Sequence, residues 1–132
     1  MLACDASEAE TAIYNALLAK ACEIVGQVDE ALALLDDALP ILERAGERRF
    51  AAELRRRKGQ LVLRQGHFKA AEDLYREALS IARQREAKLW ELRAAMSLAR
   101  LYHYQGRRAE ADDLLMPIYG WFTEGFDHAR PH

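Results

Sequence analysis

The sequence predicts an all-α protein of about six helices, arranged as three antiparallel pairs stacked in a short right-handed solenoid. Three observations predict it. Only seven Gly and three Pro occur in 132 residues, so long stretches are rich in Ala, Leu, Glu and Arg, which favour helix. Small and large apolar residues recur with a period of 40 residues. A glycine divides each copy of that repeat, at the point where a helix must end so that the chain can fold back.

The repeat is anchored on Gly26, Gly66 and Gly106. Five residues later stand Ala31, Ala71 and Ala111, then the large Leu35, Tyr75 and Leu115, then Ala38, Ala78 and Ile118. Upstream lie the small Ala19, Gly59 and Ala99, followed by Cys22, Val62 and Tyr102. Small residues near the turn let two helices approach closely, and the large ones fill the space to the next pair. A helical hairpin cannot bury its apolar face alone, so such units must stack.

The expected helices are 7–25, 28–45, 48–65, 68–84, 88–105 and 108–123. Ser7 with Glu10 reads as a capping box at the first helix start. Gly46 ends the second helix. Pro40 and Pro117 fall inside second-of-pair helices, where each removes a backbone donor and predicts a kink or an early ending. The domain reading is one repeat domain over 1–127, in units of about 7–45, 48–84 and 88–123, with 128–132 as a frayed tail.

Composition narrows the function. The hydrophobic fraction of 51% and charged fraction of 30% suit a globular chain, and the net charge of −2 gives no general basis for nucleic-acid binding. No apolar run approaches the ~18 residues of a membrane span, and the N-terminus lacks the pattern of a secretory signal. A soluble, cytoplasmic chain with no membrane partner is expected, with Cys4 and Cys22 as reduced thiols. His67, His103, His128 and His132 form no metal-binding motif, and no cofactor is expected. The pairs Asp36–Asp37 and Asp112–Asp113 point about 100° apart on a helix and read as solvated surface. No nucleophile stands near a base in any known pattern, so catalytic residues are expected to be absent. The basic run Arg55, Arg56, Arg57 and Lys58 reads as a solvated or partner-facing surface, with a nucleic-acid surface as the alternative. Lys58 replaces Leu18 and Leu98 of the other copies; its stem can cover apolar surface while the ammonium reaches water.

The pattern resembles the tetratricopeptide repeat, most closely in the second copy, at Gly59, Val62, Gly66, Phe68, Ala71, Tyr75 and Ala78. Val28 and Arg108 stand where the other copies would carry an aromatic. The period of 40 exceeds that family's usual ~34, which implies longer helices and a wider, less tightly wound superhelix. The segments Ala52–Gly66 and Leu89–Asp127, above all WELRAA, QGRR and YGWFTEGFD, resemble the C-terminal helical repeats of large bacterial signalling proteins. Those proteins carry ATPase, nucleotide-cyclase or DNA-binding domains. No phosphate loop is present here. The resemblance leaves a free-standing relative and a piece of a longer chain both open.

The tetratricopeptide resemblance implies that the first helix of each pair lines a concave groove. Carried onto this chain, the ligand-facing positions are Lys20, Glu23, Glu53, Arg56, Gln60, Arg64, Arg93, Arg100, His103 and Tyr104, together with Ala16 and Met96. Five Lys or Arg against two Glu make this groove cationic in a chain that is acidic overall, so an acidic peptide or domain is the expected partner. The lysine–asparagine clamp for chaperone tails is not reproduced. The last pair carries Leu114, Leu115, Ile118, Tyr119, Trp121, Phe122 and Phe126, more apolar surface than a terminal pair can hide. Self-association through Leu115, Ile118, Tyr119, Trp121 and Phe122, as a two-fold dimer, is expected. The functional expectation is a non-catalytic protein-interaction scaffold or regulatory module. The alternatives are an inactive fragment of a larger signalling enzyme and a nucleic-acid-binding repeat.

Overall fold

A computed structural model describes the backbone of residues 6–129 and the side chains of residues 7–121 and Thr123. Six helices follow one another: α1 (Ala6–Ile24), α2 (Val28–Arg44), α3 (Arg48–Arg64), α4 (Phe68–Gln84), α5 (Lys88–Tyr104) and α6 (Arg108–Ala129). The four inner helices each have 17 residues, a length of about 26 Å. Helices α2 to α6 start at 28, 48, 68, 88 and 108, so the 40-residue repeat is two equal halves of helix plus turn.

The turns explain that regularity. After each of α1 to α5 the chain makes the same closing bond, from an N–H to a carbonyl five residues back. The pairs are Gln27 to Cys22 at 2.8 Å, Glu47 to Leu42 at 2.9 Å, His67 to Val62 at 3.0 Å, Ala87 to Ala82 at 2.9 Å and Arg107 to Tyr102 at 2.7 Å. This bond requires a left-handed residue just before the donor. Gly26, Gly46, Gly66 and Gly106 supply it, with φ between 78° and 88°. The remaining turn uses Glu86 at φ 52°.

Consecutive helices pack against one another throughout, and α3 also touches α5, so first-of-pair helices form an inner layer. Two apolar clusters result. One joins α1, α2 and α3 around Ala12, Ala16, Ala19, Leu35, Leu42, Leu54 and Leu61. The other joins α4, α5 and α6 around Tyr75, Leu79, Leu98, Leu101, Tyr102 and Ile118. Gly59 is what lets α3 approach α4. A Cβ there would lie 2.6 Å from Cε1 of Tyr75, whose ring is 2% exposed.

Several expectations are corrected. Pro40 and Pro117 end neither helix: α2 runs on to Arg44 and α6 to Ala129. Both prolines are exposed, and so are Asp36 and Asp113, whose carbonyls lose the intrahelical donor and can turn to water. Ser7 lies inside the first turn of α1, not ahead of it, and its carbonyl accepts from the Thr11 hydroxyl at 2.9 Å. Helix α6 continues past its expected end at 123, and residues 130–132 of the expected tail lie outside the described residues.

The basic run is no solvated surface. Arg56 and Arg57 are both 7% exposed. Arg55 bonds Glu43 and Glu77, each at 3.1 Å, and Lys58 reaches Asp36 at 2.7 Å. Four consecutive residues cover all sides of a helix turn, and α3 is the central helix of the stack, so most of those sides meet a neighbour.

Candidate interaction cleft

Between α3 and α5, on the inner layer, lies an open cleft of about 580 Å³. Gln60, Leu63 and Arg64 of α3 line one side, and Ser97, Arg100, Leu101 and Tyr104 of α5 the other. Glu23 of α1 and Phe68 and Tyr75 of α4 complete the wall. Phe68 opens α4 directly after the Gly66 turn, which swings its ring onto Tyr104. The two rings stack at 6.1 Å and 17°, although Phe68 is 41% and Tyr104 79% exposed. An aromatic pair held together in water offers an apolar surface with little side-chain entropy left to lose.

Of the expected groove residues, the structure gathers Glu23, Gln60, Arg64, Arg100 and Tyr104 into this cleft. Glu53, Arg56 and Arg93 sit together elsewhere on the inner layer as a closed network. Glu53 accepts from Nε and Nη2 of Arg56, both at 2.7 Å, and pairs with Arg93 at 3.1 Å. Arg56 also donates to Ser97 Oγ at 3.3 Å. The bond to Glu53 holds the Arg56 guanidinium above its ordinary pKa despite its burial. Arg93, half exposed, lies over Trp90 at 5.6 Å. One carboxylate thus occupies two of the five cations counted into the groove. Ala16 lies at 0% exposure in the α1 core, facing no ligand. Lys20 and His103 are exposed, with Lys20 3.9 Å from Glu23.

Reasoning from the sequence missed Arg57, Ser97, Leu63, Phe68, Tyr75 and Leu101 as parts of this region. Arg57 inserts between α1 and α3, donates to the Ala16 carbonyl at 3.0 Å and lies 3.6 Å from Glu23. Burial lowers its pKa, against the pull of Glu23 and Glu53. Oε2 of Glu23 and Nε of Arg57 are buried without a hydrogen-bond partner among the described residues, 3.6 Å separating that carboxylate oxygen from Nη2 of Arg57. Tyr75 was read only as filler between pairs. Burial pushes its phenol up to about 12, with the charges of Arg56 and Arg100 opposing. The sequence signal for the cleft wall was the aromatic at Phe68, which only the second repeat carries.

The cationic part is therefore narrower than composition suggests. Arg64 donates to the Glu23 carbonyl at 3.3 Å and keeps its exposed head at the cleft. Arg100 is exposed in the cleft and holds no hydrogen bond or ion pair among the described residues. Two arginines beside an aromatic stack and the apolar Leu63 and Leu101 can bind a carboxylate and an apolar side chain together. Among the described residues, no three His, Cys, Asp or Glu gather as metal ligands, and no helix is long and apolar enough to cross a membrane.

A second hollow of about 560 Å³ opens on the outer side, between α4 and α6. Most of its charges are already paired: Arg76 bonds Glu72, Arg83 bonds Glu91 and Glu110 bonds Arg107, while Asp113 also lines it.

Of the expected self-association residues, Ile118 is in the core at 2% exposure, and Leu115 and Trp121 pack partly against it. Lys88 lies 4.7 Å over the Trp121 ring. Tyr119 is 69% exposed. The side chains of Phe122 and Phe126 lie outside the described residues.

Helical hairpins joined by glycine turns, stacked so that alternate helices line an inner face, define a helical-repeat protein of the interaction type. The tetratricopeptide repeat family matches residues 10–84, more than half of the chain, and the chain belongs to that family. Proteins of this class generally mediate protein–protein interaction and are typically non-catalytic. A comparison with curated proteins finds no match.

Proposed function

We propose that the protein is a non-catalytic interaction module that takes an acidic, partly apolar segment of a protein partner in the cleft between α3 and α5. The observation that carries this reading is Arg100, exposed and without a hydrogen-bond or ion-pair partner among the described residues, beside the Phe68–Tyr104 stack. A partner carboxylate would join Arg100 and Arg64, and the neighbouring apolar side chain would cover the stack. Resemblance to the terminal repeats of bacterial signalling proteins supports a regulatory version, in which partner binding is passed to an effector domain. The binding charge rests on Arg64 and Arg100. Arg56 and Arg93 are excluded because Glu53 already holds them.

The test is fluorescence anisotropy with labelled peptides that pair Asp or Glu with Phe, Leu or Trp, against amide-substituted controls. Binding is expected to favour the acidic peptides and weaken with salt. Arg64→Glu with Arg100→Glu should cost about tenfold or more, since hydrogen bonds to charged groups contribute roughly 1.5–3 kcal/mol each. Equal affinity for amide controls, or no response to the double variant, would overturn the reading.

A further inference from the structure

The 40-residue period allows each first-of-pair helix to be compared position by position. In α3 and α5, Leu54 and Ala94, Arg57 and Ser97, and Leu61 and Leu101 are buried. In each case the cover comes in part from the pair before: α2 packs on α3 and α4 on α5, Arg57 reaches Ala16 and Glu23 on α1, and Ser97 meets Arg56 on α3. The same positions on α1 are Tyr14, Leu17 and Ala21. Tyr14 is 66% and Leu17 65% exposed, and neighbouring Leu18 is 43% exposed. A solvated helix face is ordinarily polar, and a contiguous apolar one marks an interface.

The other end of the stack shows the matching half. Leu39 on α2 and Leu79 on α4 are nearly buried, and their counterpart on α6 is Tyr119, at 69% exposure. Asp36 on α2 pairs with Lys58 on α3 at 2.7 Å. The counterparts of that ion pair are Met116 on α6, 66% exposed, and Leu18 on α1. Met116 stands where α2 and α4 carry the charged Asp36 and Arg76, and Leu18 matches Leu98 of α5, which is 2% exposed. Both ends thus expose positions whose counterparts, Leu39 and Leu79 at one end and Leu98 at the other, are buried within the chain.

We infer that the partner for these ends is a second copy of this chain, docked head to tail, with α6 of one copy on α1 of the next. The joint continues the interface already made twice within the chain, α2 on α3 and α4 on α5. Met116 meets Leu18, and Tyr119 meets Tyr14. The two surfaces lie on α1 and α6, which are not a packed pair among the described residues. The contact is heterologous, and it extends the inner layer without closing. This inference is independent of the ligand read into the cleft.

Analytical ultracentrifugation of the full chain, from about 1 µM to about 1 mM, tests it. Self-association that continues beyond the dimer with concentration is expected. Leu18→Lys and Met116→Asp should each weaken it about tenfold. The double variant recreates the Lys58–Asp36 pair in the joint and should recover most of the loss, now with salt dependence. Leu17→Glu and Tyr119→Glu should each be monomeric alone at moderate concentration, and an equimolar mixture should stop at the dimer. All these positions are exposed, so the variants retain the fold. A monomer throughout the range would overturn the inference. So would weakening by α1 variants only or by α6 variants only, since either result assigns a two-fold contact between like ends.

Discussion

Replacing Glu53 by alanine tests the buried network most directly. Glu53 and Arg56 are each 7% exposed, and the carboxylate takes two bonds of 2.7 Å from Arg56 and one of 3.1 Å from Arg93. Without Glu53, the Arg56 guanidinium stays inside with only Ser97, at 3.3 Å, to accept from it. Breaking a buried pair in this way costs about 3–5 kcal/mol. A domain of this size is stable by roughly 5–15 kcal/mol, so the variant should fold marginally. Glu53→Gln keeps the shape and part of the hydrogen bonding, and should cost about 2 kcal/mol. Arg93→Ala removes the more exposed partner and should cost under about 1 kcal/mol. Replacing both members, Glu53→Leu with Arg56→Met, should be near neutral, because the desolvation of two charges disappears with their attraction. The assay is urea unfolding followed by circular dichroism, with the slope m checked for constancy. A loss below about 1 kcal/mol for Glu53→Ala at unchanged m would refute the claim that Arg56 is locked inside.

Three further outcomes are expected. Gly59→Ala should destabilise by about 1–2 kcal/mol, because overpacking against the buried Tyr75 ring outweighs the ~1 kcal/mol gain in helix propensity. In a Tyr75→Leu background the same change should become neutral or better, and urea midpoints of the four proteins decide it. Glu86→Gly should raise the melting temperature by about 2–5 °C, since a left-handed backbone at φ 52° strains any residue with a Cβ; calorimetry measures it, and a fall would count against strain there. The Tyr75 phenol, pushed up to about 12 by burial, stays neutral in the folded chain while the unfolded chain ionises near 10. A raised folded pKa means full stability below pH about 10, lost as pH rises towards about 12. Tyr75→Phe should flatten that alkaline decline, as read from urea midpoints across the range.

The family membership was legible because it depends on local rules. A glycine every 40 residues, with small and large apolar residues at set distances from it, dictates where helices stop and which faces are apolar. Even the turn at Glu86, which lacks glycine, follows from the fixed 20-residue pitch of its neighbours. The early endings expected at the prolines do not occur, for a related reason. Proline's cost is counted against an isolated helix, whereas α2 and α6 are held by buried Leu39, Leu42 and Ile118 around the exposed rings.

The division of charge was not legible. Counting Lys and Arg on one helix face treats each as free, and it cannot see that Glu53 faces both Arg56 and Arg93. Nor can it see that Arg57 crosses to the Ala16 carbonyl on α1. Those partners lie on the same helix one turn away, or some 40 residues distant on the neighbouring one. The three antiparallel helix pairs came from the sequence alone, because backbone geometry and apolar period act within a few turns of chain. The tertiary structure decided which arginines remain open to a partner, which described apolar residues of α6 are core, and that Tyr14, Leu17 and Leu18 of α1 form an exposed apolar face. Those properties depend on what the neighbouring helix puts opposite each side chain.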